Sequence, residues 1–243
     1  MPFIKKIILK PELILTGEYP FTLPSVKAID QLELHSAVTF FTGENGTGKS
    51  TVIESIAVAA GFNHEGGSKN FNFSTAENSP VLSRAIRLSR SAERMRDGYF
   101  YRSESFYNVI TQINKLDKEQ GLTPPIKNSY GGRDLHSRSH GESLLDLTLF
   151  RFSGKGLYIL DEPESALSVQ NQLVLLSRIN ELVRKGSQFI IATHSPLLVA
   201  YPGASILEFS SRGIDPVNYE ETENFALMKQ YFRDPEYFMK KLF

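Results

Sequence analysis

Apolar and polar positions along this chain follow first a strand period, then a helix period, in alternation. Residues 3–9 close on Ile7-Ile8-Leu9 and predict a first strand. Residues 12–35 alternate apolar and polar positions and are broken at Pro20 and Pro24, which predicts paired strands with turns rather than a helix. The run Ala37-Val38-Thr39-Phe40-Phe41-Thr42 is apolar and β-rich, the mark of a buried strand, and residues 50–60 then predict a helix that stops at Gly61. Residues 62–80, rich in Gly, Asn and Ser, predict a mobile loop. Tyr99-Phe100-Tyr101 predicts a strand and residues 104–120 a helix ending at Gly121, with a break at Pro124-Pro125. A second polar loop around Gly131-Gly132 covers 126–141, and 142–151 predict an amphipathic helix.

From there the order is regular. A strand at 156–160 is followed by a helix at 168–185, in which Leu173, Leu176, Ile179, Leu182 and Val183 recur at helical spacing and Lys185-Gly186 close the end. Short strands at 189–192 and 205–209 follow, then a turn at Ser211-Arg212-Gly213 into a hairpin strand, then a helix capped by Thr222 and interrupted at Pro235. Strands alternating with helices imply an α/β fold: a mostly parallel sheet covered by helices on both faces. An N-terminal antiparallel β arm and an inserted, partly helical arm at about 62–138 complete a single domain over residues 1–243.

One stretch carries explicit chemistry. Gly43-Glu44-Asn45-Gly46-Thr47-Gly48-Lys49-Ser50-Thr51 satisfies the phosphate-loop pattern of Gly, four residues, then Gly-Lys-Ser, and stands between a strand and a helix as that pattern requires. The chain is therefore read as a P-loop NTPase. Gly43, Gly46 and Gly48 let the backbone turn and approach a phosphate, while the N–H groups of the loop and helix start point at the anion. Lys49 is expected to reach the outer phosphates and Ser50 to place its hydroxyl on Mg²⁺. The strand at 156–160 then delivers Asp161 and Glu162 at its C-terminal end, the edge where open α/β sheets bind ligands. Asp161 is expected to hold Mg²⁺ and Glu162 to take a proton from an attacking water. Tyr19 and Phe21 lie upstream of the loop; an aromatic there could stack on a nucleotide base or belong to a half-buried strand.

Four motifs in order carry a resemblance. They are residues 43–51; Ser139-His140-Gly141-Glu142-Ser143; Asp161-Glu162-Pro163-Glu164 with Ser165-Ala166-Leu167-Ser168; and Ala192-Thr193-His194-Ser195-Pro196. The set resembles the ATPase domain of the ATP-binding-cassette and SMC/RecF-like group, often labelled AAA-family predicted ATPases. Asp161 follows Ser139 by 22 residues and His194 follows Asp161 by 33, near what that family shows. The resemblance covers essentially the whole chain. It implies ATP and Mg²⁺ as ligands, 139–143 as the signature that opens a helix, and His194 as the switch histidine bridging a γ-phosphate and a carboxylate. Because the family's geometry keeps the signature away from its own phosphate loop, the resemblance also implies a homodimer. Ser139 and Gly141 of one copy would then meet the nucleotide of the other.

Three departures stand out. His140 replaces a signature glycine, Ser168 replaces the usual aspartate, and no glutamine sits clearly at the strand end after the arm, where Glu104 or Ser105 are the candidates and Gln112 lies too deep in a helix. Slow turnover is expected on that account. No long heptad run separates Ser50 from Ser139, which excludes a coiled-coil arm.

Composition changes little. The chain has 27 basic and 27 acidic residues and no Cys, so nothing global argues for a polyanion and no thiolate chemistry is available. No apolar run is long enough for a signal peptide or a membrane span, and a soluble cytoplasmic protein is the expectation. Arg84, Arg87, Arg90, Arg94, Arg96 and Arg102 make the one locally basic stretch, a solvated face or a contact for nucleic-acid phosphates. The leading expectation is an ATP-hydrolysing, nucleotide-gated dimeric switch. The alternatives are the energising subunit of a membrane transporter and a nucleotide-gated nucleic-acid clamp. Asn114-Lys115-Leu116-Asp117 matches a guanine-recognition string but falls inside a predicted helix, against a GTPase.

Overall fold

The computed structural model describes residues 2–15, 17–69, 80–119, 125–132 and 139–243. Its strands are β1 Ile4–Leu9, β2 Gln31–Glu33, β3 Val38–Gly43, β4 Gly67–Ser68, β5 Ile86–Arg90, β6 Asp97–Arg102, β7 Gly156–Asp161, β8 Gln188–Ala192, β9 Ser205–Ser210 and β10 Gly213–Val217. The helices are α1 Pro24–Lys27, α2 Lys49–Ala60, α3 Val81–Ala85, α4 Phe106–Glu119, α5 His140–Asp146, α6 Val169–Arg184, α7 Pro196–Val199, α8 Glu223–Arg233 and α9 Pro235–Lys240. A seven-stranded sheet runs β10-β9-β3-β8-β7-β6-β4, and a three-stranded antiparallel sheet runs β2-β1-β5. In the large sheet β9, β3, β8, β7 and β6 are mutually parallel, with antiparallel β10 and β4 at the edges.

Every residue of β3, β7 and β8 is buried, because parallel strands must be joined by crossovers that cover both faces. Side chains then sort by the two-residue period. Phe41, Leu157, Ile159 and Ile190 face α2 and β1, where Val52, Ile53, Ile56, Ile4 and Ile7 meet them. Phe40, Tyr158, Leu160 and Ile191 face the opposite layer, where Ile110, Leu144, Leu175, Ile179 and Leu182 meet them.

The expected N-terminal antiparallel β arm is present, but its composition differs from the reading of 12–35. Only β2 there is a strand; the rest is turns, one turn of 3₁₀ helix at Pro11–Leu13, and the short α1. The apolar positions Phe21, Val26, Ile29 and Leu34 are buried by local packing under the core rather than by strand pairing. The third strand of that sheet is β5, from the Arg-rich stretch. Residues 62–138 thus contribute β4, β5 and β6 to the two sheets as well as the helix α4. The loop expected at 126–141 contains a 3₁₀ helix, Ile126–Tyr130, with Tyr130 buried. The expectations at 70–79, at Gly121 and at 133–138 lie outside the described residues.

The stripe on α6 is shifted as well. Leu182 and Ile179 are buried as the spacing predicts, but Leu173 is 50% exposed, and Leu175 takes the core position. No helix among the described residues is long and apolar enough to cross a membrane. In denaturant unfolding, Leu182→Ala is expected to lose about 2–5 kcal/mol, the usual scale for emptying a core site. Leu173→Ala is expected to stay within about 0.5 kcal/mol of the parent. Equal losses at the two positions would contradict the packing of α6.

Candidate functional site

The site begins where β3 runs out of sheet. Gly43 has φ of +125°, and a Cβ there would fall 2.0 Å from the carbonyl oxygen of Phe209 on β9, so only glycine fits. Gly48 precedes α2 with φ of +96°, and a Cβ there would press on Ser25 Oγ at 2.6 Å. Ser25, buried at the start of α1, donates to the Thr47 carbonyl at 2.6 Å and pins the loop from beneath. Lys49 curls back across it. Its Nζ donates to the carbonyls of Gly43 at 2.9 Å and Glu44 at 2.7 Å. Burial lowers the lysine pKa, opposed by the negative charges of Glu162 and Asp161. The loop therefore holds an ammonium on neutral carbonyls, contacts that an anionic ligand can replace.

Asp161 ends β7 and is buried, with Ser50 Oγ donating to its Oδ1 at 3.1 Å. Burial raises its pKa to about 7, with the Ser50 hydrogen bond pulling the other way. A serine hydroxyl and a carboxylate converging from α2 and β7 are hard oxygen donors of the kind Mg²⁺ takes, so the residues fit that ion. Glu162 follows at φ +49°, an unusual left-handed conformation for a non-glycine residue, and its side chain is partly exposed. Its N–H still donates to the Ala192 carbonyl at 3.0 Å, which keeps the turn attached to β8.

His194 lies just past β8. Its Nε2 is 3.6 Å from Glu162 Oε1, close enough for electrostatic attraction and too far for a hydrogen bond. Its N–H donates to Glu164 Oε1 at 2.6 Å, and its carbonyl accepts from Asn224 Nδ2 at 2.9 Å, so the backbone is fixed while the ring is not. Burial, then Lys49, lowers the histidine pKa. Three buried polar atoms around this point have no hydrogen-bond partner among the described residues: His194 Nε2, Glu164 Oε2 and Arg102 Nε. Unsatisfied atoms gathered in one place mark a ligand site.

Arg102 was missed from the sequence. It ends β6 in register with Asp161, and its guanidinium reaches Glu54 at 3.2 Å, Glu104 at 3.1 Å and, through Nε, Asp161 at 3.9 Å. The signal existed, since Tyr99-Phe100-Tyr101 reads as a strand and places Arg102 at its C-terminal end. Of the residues considered for the missing glutamine, Glu104 is exposed and pairs with Arg102, Ser105 donates to the Glu65 carbonyl, and Gln112 lies inside α4. Ser103 is hydrogen-bonded to Ser165 in the turn after Glu162.

The other predicted residues fall on either side of this centre. Ser139 caps α5 in a reciprocal box with Glu142, its N–H and hydroxyl both donating to Glu142 Oε2. A Cβ on Gly141 would fall 2.4 Å from the Ala166 carbonyl, so this glycine lets α5 lie against the 3₁₀ turn Pro163–Ala166. Ser139 and Gly141 are thus tied to the strand end through that turn, whereas 43–51, Asp161, Glu162 and His194 come together directly. Tyr19 is 67% exposed and hydrogen-bonded to Thr51 Oγ1 at 2.9 Å, while Phe21 is 3% exposed and belongs to the core. Asp117 accepts from the N–H groups of Ile126 and Lys127, a structural cap that accounts for the guanine-like string.

The family described as "AAA domain, putative AbiEii toxin, Type IV TA system" matches residues 143–200, which include Asp161, Glu162 and His194. A Haemophilus influenzae protein named as an uncharacterized ABC transporter ATP-binding protein is 33% identical over 109 residues, 43% of this chain. That match spans 41% of the relative's length. A solved ATP-binding subunit of an ABC transporter superimposes with TM-score 0.52 at 16% identity, over 94% of this chain and 93% of that one. An SMC head bound to the C-winged helix domain of ScpA gives 0.50 at 14% identity, over 89% and 97%. The fold is that of an ABC- and SMC-like P-loop ATPase domain. The resemblance carried by the four motifs and the expected α/β architecture hold at that level.

A carboxyl whose folded pKa lies above its unfolded value favours the fold below about pH 4, and that stability is lost as pH rises through about 7. In protein free of nucleotide and divalent cations, Asp161→Asn is expected to raise the thermal midpoint at pH 8 by at least ~2–4 °C, the shift of about 1 kcal/mol in a domain this size. The gain should shrink as pH falls below 7. A variant less stable than the parent at pH 8 would contradict a desolvated Asp161.

Proposed function

We propose that this chain binds ATP with Mg²⁺ on residues 43–51 and hydrolyses it, alternating between monomer and dimer as it does so. The observation that carries the reading is the convergence of Lys49, Ser50, Asp161, Glu162 and His194 at one edge of the parallel strands β3, β7 and β8. Lys49 leaves the carbonyls of Gly43 and Glu44 for the β- and γ-phosphates, and the N–H groups of the loop and of the α2 start receive the phosphate oxygens. Tyr19, exposed beside Thr51, offers its ring to the base. Ser50 and Asp161 hold Mg²⁺, which when bound neutralises charge on the β- and γ-phosphate oxygens. Glu162, partly exposed, accepts the proton of the attacking water. His194, held by its backbone and free at Nε2, donates to the γ-phosphate. Arg102 steadies Asp161 and Glu54 where related domains carry a glutamine, which fits slow turnover.

The dimer follows from the signature. Ser139 and the N-terminal end of α5 lie beside the turn after Glu162, so a second copy related by a twofold axis would present them to the first copy's γ-phosphate. ATP binds the closed pair more tightly than the open chain, and hydrolysis removes the anion that both copies touch. A second reading, the energising subunit of a membrane transporter, is supported by the name of the Haemophilus influenzae relative and by the transporter-subunit likeness. It uses the same chemistry with a different partner.

Glu162→Gln is expected to bind ATP and slow hydrolysis by about 10²–10⁴-fold, the range for loss of a general base. With ATP and Mg²⁺ the same variant should sediment as a dimer, and with ADP as a monomer. Parent-like turnover would place the base elsewhere, and a monomer at saturating ATP would remove the shared site.

Arg102→Ala is expected to lower the stability of the nucleotide-free protein by leaving Glu54 and Asp161 without their cation, on the order of 1–3 kcal/mol. Arg102→Lys should recover part of that loss. An Arg102→Ala protein as stable as the parent would show that the arginine is not bound to this carboxylate set.

A further inference from the structure

A cleft opens at the end of the large sheet away from the candidate site, where the connection from β5 to β6 passes the end of α2. It has a volume of about 300 Å³, a floor that includes Phe3, Ile4 and Leu157, and a rim carrying Lys69, Arg90 and Arg94. Among the described residues Glu93 is the one carboxylate in the same lining. Burial, followed by the charge of Arg90, pulls the Lys69 pKa down, and among the described residues no carboxylate opposes that shift. Among the described residues neither Arg90 nor Arg94 forms an ion pair. Two of the three cations are held in place. Arg90 donates to the Ala59 carbonyl at 3.1 Å, and Lys69 Nζ lies 5.3 Å over the Phe62 ring. Ser91 Oγ, in the same lining, is buried without a hydrogen-bond partner among the described residues.

Lys69, partly desolvated beside the like charge of Arg90, carries a cost that a bound anion removes. The C-terminal end of α2 attracts one cation on its own account, and Arg90 fills that role. Lys69, Arg94 and the unsatisfied Ser91 hydroxyl are left over. The volume and the apolar floor exceed what inorganic phosphate uses, so the ligand has an apolar body as well as an anionic head. We propose that this cleft binds a nucleotide, its phosphate on Lys69, Arg90, Arg94 and the Ser91 hydroxyl and its nucleoside on the floor of Phe3, Ile4 and Leu157. That chemistry is shared by a free mononucleotide and by a nucleotide within a single strand of nucleic acid. It is independent of the ATP site at the other end of α2.

The test is equilibrium binding to the full chain at low salt, with thymidine 5′-monophosphate, inorganic phosphate and a short oligothymidine as probes. Thymidine monophosphate is expected to bind, with affinity unchanged in Lys49→Ala and weakened about tenfold or more in Lys69→Glu and Arg90→Glu, the scale of one charge-assisted hydrogen bond. Arg94→Glu, at an exposed side chain, gives the same readout should Arg90→Glu disturb the end of α2. Tighter binding of the oligothymidine supports the cleft with nucleic acid as the source, and tighter binding of the monophosphate supports it with the free nucleotide. Absence of binding by both nucleotide probes, affinity for inorganic phosphate equal to that for the monophosphate, or indifference to the charge reversals would overturn the proposal.

Discussion

One row of the parallel sheet sets the geometry of everything at the candidate site. Phe41 of β3 lies opposite Ala192 of β8, Ala192 opposite Asp161 of β7, and Asp161 opposite Arg102 of β6. Parallel neighbours cannot be joined by tight turns, so each connection crosses the sheet and covers a face. Burial on both faces then forces the strands to be apolar along their length. The first places where the chain can carry working polar groups are the strand ends, and the register puts the ends of β8, β7 and β6 in one line beside Phe41 of β3. Thr193 and Glu162 extend that line one step, donating to the carbonyls of Phe41 and Ala192. Lys49, Asp161, Glu162, His194 and Arg102 are neighbours because the ladder is aligned, although the sequence separates them widely.

The same burial that aligns the groups makes their charges expensive. Asp161 is desolvated enough for its pKa to rise to about 7, and Lys49 is pushed down by its own burial. Neither forms a tight pair with the other; Lys49 rests on two carbonyls and Asp161 on the Ser50 hydroxyl. Arg102 is the remaining counterweight, spread over Glu54, Glu104 and Asp161, with its Nε unmet. A constellation satisfied by weak substitutes exchanges them readily for a ligand that carries both an anion and a cation. A set of tight internal ion pairs would resist the same exchange.

How much of this could be read in the sequence depended on whether local pattern and tertiary packing agreed. β3, β7 and β8 were legible because burial on two faces leaves an unbroken apolar run, and the phosphate loop was legible because Gly43 and Gly48 hold backbone no other residue fits. Residues 12–35 misled, because Phe21 and Val26 are buried by turns beneath the core, and such burial mimics the strand alternation. On α6 the five-residue stripe was drawn through Leu173, but the layer beneath receives Leu175, a choice made by the position of neighbouring elements and not by the helix. Arg102 was passed over because it stood in a run of arginines that are otherwise exposed. Its distinction is its register with Asp161, which only the paired strands reveal.

The candidate site and the cationic cleft share α2 and β7. The start of α2 carries Lys49 and Ser50, and its end carries Ala60, which lines the cleft; β7 runs from Leu157 in that cleft to Asp161 at the candidate site. A helix of 12 residues is about 18 Å long, so the two places are a rigid element apart. Its dipole favours an anion directly at the start, where the N–H groups are free, and disfavours one at the end. An anion site at the end of α2 therefore needs cations beyond those that satisfy the terminal carbonyls, and Lys69 and Arg94 beside Arg90 are that excess. In a chain with 27 basic and 27 acidic residues, this separation of charge is a property of place and not of composition. Carboxylates and their few cations gather at the strand ends, and cations without an ion pair among the described residues gather where β7 begins.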